Sequence, residues 1–381
     1  MDTPAENWEI IKRCLPEAWD SKAYELGALR RKRKIESADV LLRLLLIHLA
    51  SGKSLRTAAT YACQAGLCEI NDVALLHRLK AAGEWLRWMC RQMLPSVEPQ
   101  GLQTAERFRV LVVDASTVSE PGSTGTDWRL HYAFELNSFR CESFSITTPQ
   151  GGESFEYFAA GQGDLVMGDR GYCKRKGIRH ILRQGADVVV RLHSTTLPLR
   201  TAKGGAWPVL NHLRSLPEGQ VGDWDVWFED PQDHHLIKGR LCSIKKSEEA
   251  FQLAVKKWRR EAKKKGYAVK EETIEHARYI SVFCTANRHR LTGTEILDLY
   301  RSRWQIELVF KRLKSIVGFG HLPKLNEESC RAWLYGKMFV ALLTERLYRE
   351  AQFFSPWGYP IEIQRPQRVH AQQSAQPVEG V

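Results

Sequence analysis

Residues Phe108–Ser116 read FRVLVVDAS, and this run constrains the chain more than any other segment. Val110, Leu111, Val112 and Val113 are consecutive, aliphatic and mostly β-branched. A strand with polar residues on alternate positions can face water. This one cannot, so it belongs inside a sheet that is covered on both faces. The segments WRLHYAFEL (128–136) and CESFSITT (141–148) follow as further strands, with Gly, Ser and Thr turn residues between the first two. Next come a short strand within DLVMGDRGY (164–172), a helix through KRKGIRHILRQGA (174–186) and a strand at DVVVRLH (187–193). Three strands, a fourth, a helix and a fifth predict a mixed α/β sheet.

Around this centre the pattern divides the chain into parts. Residues 1–100 read as helical. The run VLLRLLLIHLA has helical density, Ser54 is placed to cap a short helix ending at Gly66, and Asp72 is placed to cap the segment that follows. Helix, short helix and helix with Arg and Lys outward suit either a helix-turn-helix-like DNA module or a plain bundle. The basic run Arg30, Arg31, Lys32, Arg33 and Lys34 is a solvated segment able to reach phosphates. Residues 101–195 form the first part of the α/β core. Residues 196–290 read as a β-rich insertion in which Trp207, Trp224 and Trp227 stand among turn residues, followed by a charged helix. Residues 291–352 return to helix and complete the core. Residues 353–381, rich in Pro, Gln and Ala, are expected to be disordered.

Charge and cysteine usage narrow the class. The 381 residues carry a formal charge of +12 and a pI near 9.3, which favours an anionic partner such as nucleic acid. Nine scattered cysteines, none in a Cys-x-x-Cys pair, fit reduced thiols better than a zinc site or a disulfide framework. The first residues lack an apolar core for a secretory signal, and Val40–Ala50 is too short to span a bilayer. A soluble, cytoplasmic protein is expected.

The chemistry is carried by Tyr300, Arg303, Glu307 and Lys314. At about 100° per residue on a single helix, offsets of 0, 3, 7 and 14 fall near 0°, 300°, 340° and 320°. The four share one stripe, and Lys311 lies near it. Leu299, Ile306, Val309, Phe310, Leu313, Ile316 and Val317 fall roughly at 160° to 280° and form an apolar face. Glu, Arg and Lys at such spacing also make ordinary surface pairs. Two aspartates shift the balance. Asp114 follows the buried run, and Asp169 follows Leu165-Val166-Met167 in Gly168-Asp169-Arg170-Gly171-Tyr172. Neighbouring buried strands would set the two carboxylates side by side, where repulsion and desolvation both penalise them. A divalent cation offsets that penalty, and a helical Glu would complete an oxygen-only site suited to magnesium.

In these residues the chain resembles the DDE transposases of bacterial insertion sequences, in the branch marked by Tyr-x2-Arg-x3-Glu-x6-Lys. The resemblance covers roughly residues 35–355. It implies a ribonuclease-H-like core with a helical N-terminal domain and a β-rich insertion domain. It implies Asp114, Asp169 and Glu307 as catalytic carboxylates and metal ligands for two Mg²⁺ ions, with Mn²⁺ able to substitute. It further implies that Tyr300, Arg303, Lys314 and Lys311 hold DNA phosphates. The expected activity is cleavage at transposon ends and strand transfer into target DNA. The expected partners are double-stranded DNA, both terminal inverted repeats and target, and a second copy when bound to DNA, with no membrane and a place at the nucleoid. The alternatives are a metal-dependent nuclease without strand transfer and an inactive DNA-binding relic acting as repressor. Weaker signals are the insertion's tryptophans with Tyr279, as core or as base-stacking surface, and Lys174, Arg175 and Lys176, close after the second Asp.

Overall fold

The computed structural model describes residues 4–31, 33–95, 108–123, 125, 127–266, 268–320, 322–324 and 326–353. The expected disordered tail therefore lies outside the described residues, except for its first residue, which ends a helix.

The central sheet starts with β1 (Arg109–Val118), β2 (Trp128–Glu135) and β3 (Cys141–Thr147), an antiparallel meander. The chain then crosses back to β4 (Asp164–Gly168), which lies parallel to β1. Val110–Val113 are all buried, and every residue of β4 is buried, as a strand covered on both faces requires. The helix Arg175–Arg183 leads to a parallel β5 (Asp187–Arg191). Ile178 and Ile181 of that helix pack with Val188, Val190 and Val166 in one core.

The stretch 196–290 does not build a sheet of its own. After the short helix Val209–Arg214, β6 (Val221–Glu229) and β7 (Leu236–Lys245) pair as a hairpin. Two helices follow, Glu248–Lys265 and Glu271–Ala277, and then β8 (Tyr279–Cys284). β8 pairs with β7 on one side and β5 on the other, giving one eight-stranded sheet in the order β3-β2-β1-β4-β5-β8-β7-β6. The reason is apolar continuity. Phe228, Leu241 and Phe283 are fully buried and join the same core as Val188 and Val190. The tryptophans expected among turns follow suit: Trp207 is buried and stacks on His212 with ring centroids 4.0 Å apart, and Tyr279 is buried as well.

The helical N-terminal region contains Trp19–Glu25, Ala38–Leu49, Leu55–Gln64, Asp72–Ala81 and Gly83–Met93. Ser54 accepts a hydrogen bond from the Thr57 amide at 3.1 Å, as expected, and Gly66 turns with φ 62°. The expected Asp72 cap is Asn71 instead: its side chain accepts from the Ala74 amide at 2.8 Å, leaving Asp72 as the first helical residue. The long helix Glu327–Phe353 runs against this region. A Cβ at Gly336 would lie 2.6 Å from a Leu49 methyl, so the Leu49 side chain packs directly on the helix backbone at glycine. Lys337 is buried beside this contact and donates to the Leu49 carbonyl at 2.6 Å. Residues 15–342 form one compact unit. The described residues 4–14 and 343–353 form another, in which Arg346 of the long helix donates to the Cys14 carbonyl at 3.1 Å.

Candidate active site

β1 and β4 pair with Arg109 opposite Asp164 and Val112 opposite Met167. Asp114 lies in β1 two residues past the last of these pairs, and Asp169 follows immediately where β4 ends at Gly168. Both carboxylates are pinned by local backbone. Asp114 accepts from the Ala115 amide at 2.8 Å, and Asp169 accepts from the Gly171 amide at 2.7 Å, capping the 3-10 turn Arg170–Tyr172. Burial, and then the neighbouring Asp169, push the Asp114 carboxyl up to about 7, against the opposing pull of its backbone hydrogen bond and of Arg303. Charge is thus expensive at this position, the condition expected where a cation belongs.

The third carboxylate arrives on a helix. Thr292 and Glu295 form a reciprocal capping box that starts the helix Gly293–Arg301. The chain then tightens into a 3-10 turn, Ser302–Trp304, before the helix Gln305–Ser315. The single regular helix assumed for the stripe is thereby interrupted, and its members differ in burial. Tyr300 is buried, and burial pushes its phenol up to about 12. Arg303 is half-buried, while Glu307, Lys311 and Lys314 are exposed. The apolar face holds where it meets the sheet, with Ile306, Phe310 and Leu313 buried and Phe310 edge-on to Tyr132 at 6.2 Å. Ile316, beyond the sheet, is 77% exposed.

Arg303 joins the two halves of the site. One guanidinium nitrogen lies 3.8 Å from Asp114 and the other 3.0 Å from Glu307. Among the described residues, the mutual 4.8 Å spacing of a shared cation site is met by Asp230, Asp233 and His235, where Arg179 already neutralises both aspartates, and not by Asp114, Asp169 and Glu307. In this arrangement the guanidinium stands between Asp114 and Glu307.

Two residues escaped the sequence reading. Glu153, in the loop after β3, presents its carboxylate to Gly171, where a Cβ would fall 1.9 Å from its Oε2. Tyr172 is fully buried, and its hydroxyl has no hydrogen-bond partner. The signal available in the sequence was the glycine itself, in a Gly-Asp-Arg-Gly-Tyr segment where any side chain at 171 would collide with a carboxylate. The basic trio after Asp169 is engaged locally. Lys174 donates to the Glu153 carbonyl at 2.6 Å, Lys176 pairs with Glu156 at 3.0 Å, and Arg175 reaches the Glu229 carbonyl at 3.5 Å. Arg170 lies over the Trp258 ring at 5.5 Å, which ties the basic helix Glu248–Lys265 to the loop of Asp169.

A family model for the transposase DDE domain matches residues 106–343. InsL of insertion sequence element IS186A in Escherichia coli strain K12 is 30% identical over 363 residues, covering 93% of this chain and 98% of that protein. The transposase of insertion sequence element IS421 from Escherichia coli is 30% identical over 364 residues, with the same coverage. The transposase of IS231B from Bacillus thuringiensis subsp. berliner is 21% identical over 383 residues, covering 88% of this chain and 78% of that protein.

Proposed function

This chain belongs to the DDE transposases of insertion sequences, and we propose that it cuts DNA at element ends and joins them to a target through Asp114, Asp169 and Glu307. The observation that carries the reading is that Asp114 in β1 and Asp169 at the end of β4 lie close enough for the second to add to burial in pushing the first carboxyl up, with Arg303 linking Asp114 to Glu307.

As a DDE transposase the protein depends on divalent metal. The residues fit a hard cation. Their donors are oxygens alone, Asp114 sits beside repelling carboxylates, and the buried Tyr172 hydroxyl is unpartnered. Asp114, Asp169 and Glu307 would hold two Mg²⁺ ions, with Mn²⁺ as a substitute. Such ions activate a water or a 3′ hydroxyl and neutralise the leaving oxygen of an in-line displacement at phosphorus.

The chain's own groups position the DNA. Asp114 and Asp169 stay fixed because each is tied to a backbone amide on or beside a buried strand. Arg303 neutralises Asp114 and Glu307 in the free protein. With Asp114 and Glu307 holding a cation instead, its planar fork would be free to hold a phosphate next to the scissile bond. Tyr300 backs Arg303 from the buried side. Lys311 and Lys314 lie exposed along the same helix as phosphate contacts that position rather than read sequence. Lys256, Lys257, Arg260 and Lys264 on the helix beside Arg170 extend the basic track. We assign end recognition to the helices of residues 1–100, the catalytic core to 101–195 and 291–352, and a supporting role to 196–290. Two protomers act together on the paired ends. No helix among the described residues is long and apolar enough to cross a membrane.

The test is product mapping on a duplex carrying the element's own terminus, with Mg²⁺. The reading predicts a nick exposing a 3′ hydroxyl, followed by joined products. Nicks that never yield joined products would make the protein a nuclease, and end binding with no nick would make it a binding relic.

A further inference from the structure

The loop between β3 and β4 brings a carboxylate to the site that the three-residue signature leaves out. A point at the Cβ position of Gly171 lies 1.9 Å from Glu153 Oε2 and 3.1 Å from Asp169 Oδ1. The two oxygens are therefore at most the sum of those distances apart. Glu153 is held there from behind. Lys174 donates to its carbonyl at 2.6 Å, and Arg129 anchors the same loop by donating to the Gly151 carbonyl at 2.9 Å. No hydrogen bond or ion pair among the described residues engages the Glu153 carboxylate directly, and the Arg129 and Lys174 charges act on it only from a distance. Beside the cluster sits the fully buried Tyr172, its ring packed on Phe155 and Phe158 and its hydroxyl unpartnered. The Asp114, Glu153 and Asp169 carboxylates lie in its neighbourhood. A buried hydroxyl without a partner is costly, and that cost is removed if bound metal draws a carboxylate oxygen or an ordered water to it.

We propose that Glu153 is a fourth carboxylate of the cation site, facing Asp169 across Gly171, with the Tyr172 hydroxyl as the donor that orients the cluster. The proposal rests on the assignment of Asp169 as a metal ligand. It gives the second glycine of Gly-Asp-Arg-Gly-Tyr a physical role, because any side chain at 171 would occupy the place of the Glu153 carboxylate.

The experiment measures Mn²⁺ affinity of the full chain without DNA, by electron paramagnetic resonance, for wild type, D169N, E153Q and E156Q. Glu156 lies three residues on, paired with Lys176, and serves as the control. D169N should abolish tight binding, E153Q should weaken it by about tenfold or more, and E156Q should leave it unchanged. Melting in EDTA separates this from misfolding. E153Q and Y172F should melt at or above wild type, because one removes repulsion and the other an unpaired hydroxyl. Both should then gain less than wild type on adding Mn²⁺. Wild-type Mn²⁺ affinity in E153Q beside a defective D169N would overturn the proposal and leave the three-carboxylate reading intact. Wild-type affinity in D169N would overturn both.

Discussion

A guanidinium that reaches Asp114 with one nitrogen and Glu307 with the other does what a single ammonium cannot. R303K should therefore fall well short of wild type in single-turnover cleavage, by about tenfold or more if one transition-state contact is lost. Its Mn²⁺ affinity should stay within a few-fold of wild type. Cleavage by R303K at the wild-type rate would remove the fork from the account. Two histidines supply a separate prediction about stability. His48 is 5% exposed and His131 fully buried, and burial lowers both to about 4 from an ordinary value near 6.5. The unfolded chain takes up these protons as pH falls below 6.5, and the folded chain does not until about 4. Stability is therefore complete above 6.5 and is lost through that window. At pH 5 each histidine should cost about 2 kcal/mol. Denaturant unfolding at pH 7 and pH 5 measures the loss, and H48Q should shrink it. An unchanged pH dependence in H48Q would exclude that residue. At this scale the sequence carried the buried aliphatic runs that precede Asp114 and Asp169, because that burial is written in their composition. It did not carry Glu153, whose importance depends on which loop folds over Gly171.

Helix boundaries show what local pattern can and cannot hold. The cap at Ser54 follows from a hydroxyl before a helical run, but the next helix offers Asn71 and Asp72 side by side. Geometry chose the first, since only the residue outside the helix can turn its oxygen back onto the Ala74 amide. N71A should cost about 1 kcal/mol in denaturant unfolding and D72A clearly less; equal costs would argue against the assigned cap. The turn at Ser302–Trp304 was illegible for a related reason. A helical wheel assumes an unbroken period, whereas here the chain overwinds for three residues, burying Tyr300 and lifting Glu307 outward. The close approach of Gly336 to Leu49 was equally hidden, because it pairs residues far apart in sequence. G336V should overpack that contact and destabilise by about 1–3 kcal/mol, read as a shifted denaturant midpoint. A wild-type midpoint would mean that the helices part without cost.

At the scale of the whole molecule, the mixed sheet with its central strands β1 and β4 was legible from order and burial alone. The extension of that sheet by β8, β7 and β6 was not, because turn residues and tryptophans mark strands without saying which strand they pair with. The extension also gives the basic helix Glu248–Lys265 its place, since Trp258 meets Arg170 one residue from Asp169. One framework thus carries the carboxylates, the bridging arginine and a basic track together. The central claim is that this framework performs metal-dependent cleavage through Asp114, Asp169 and Glu307. The most direct measurement is nicking of a duplex bearing the element's own end, in Mg²⁺ and in EDTA, by wild type and E307Q. The account predicts nicks by wild type in Mg²⁺ alone, and none by E307Q although it still binds the end. Nicking by E307Q at the wild-type rate, or nicking by wild type in EDTA, would contradict it.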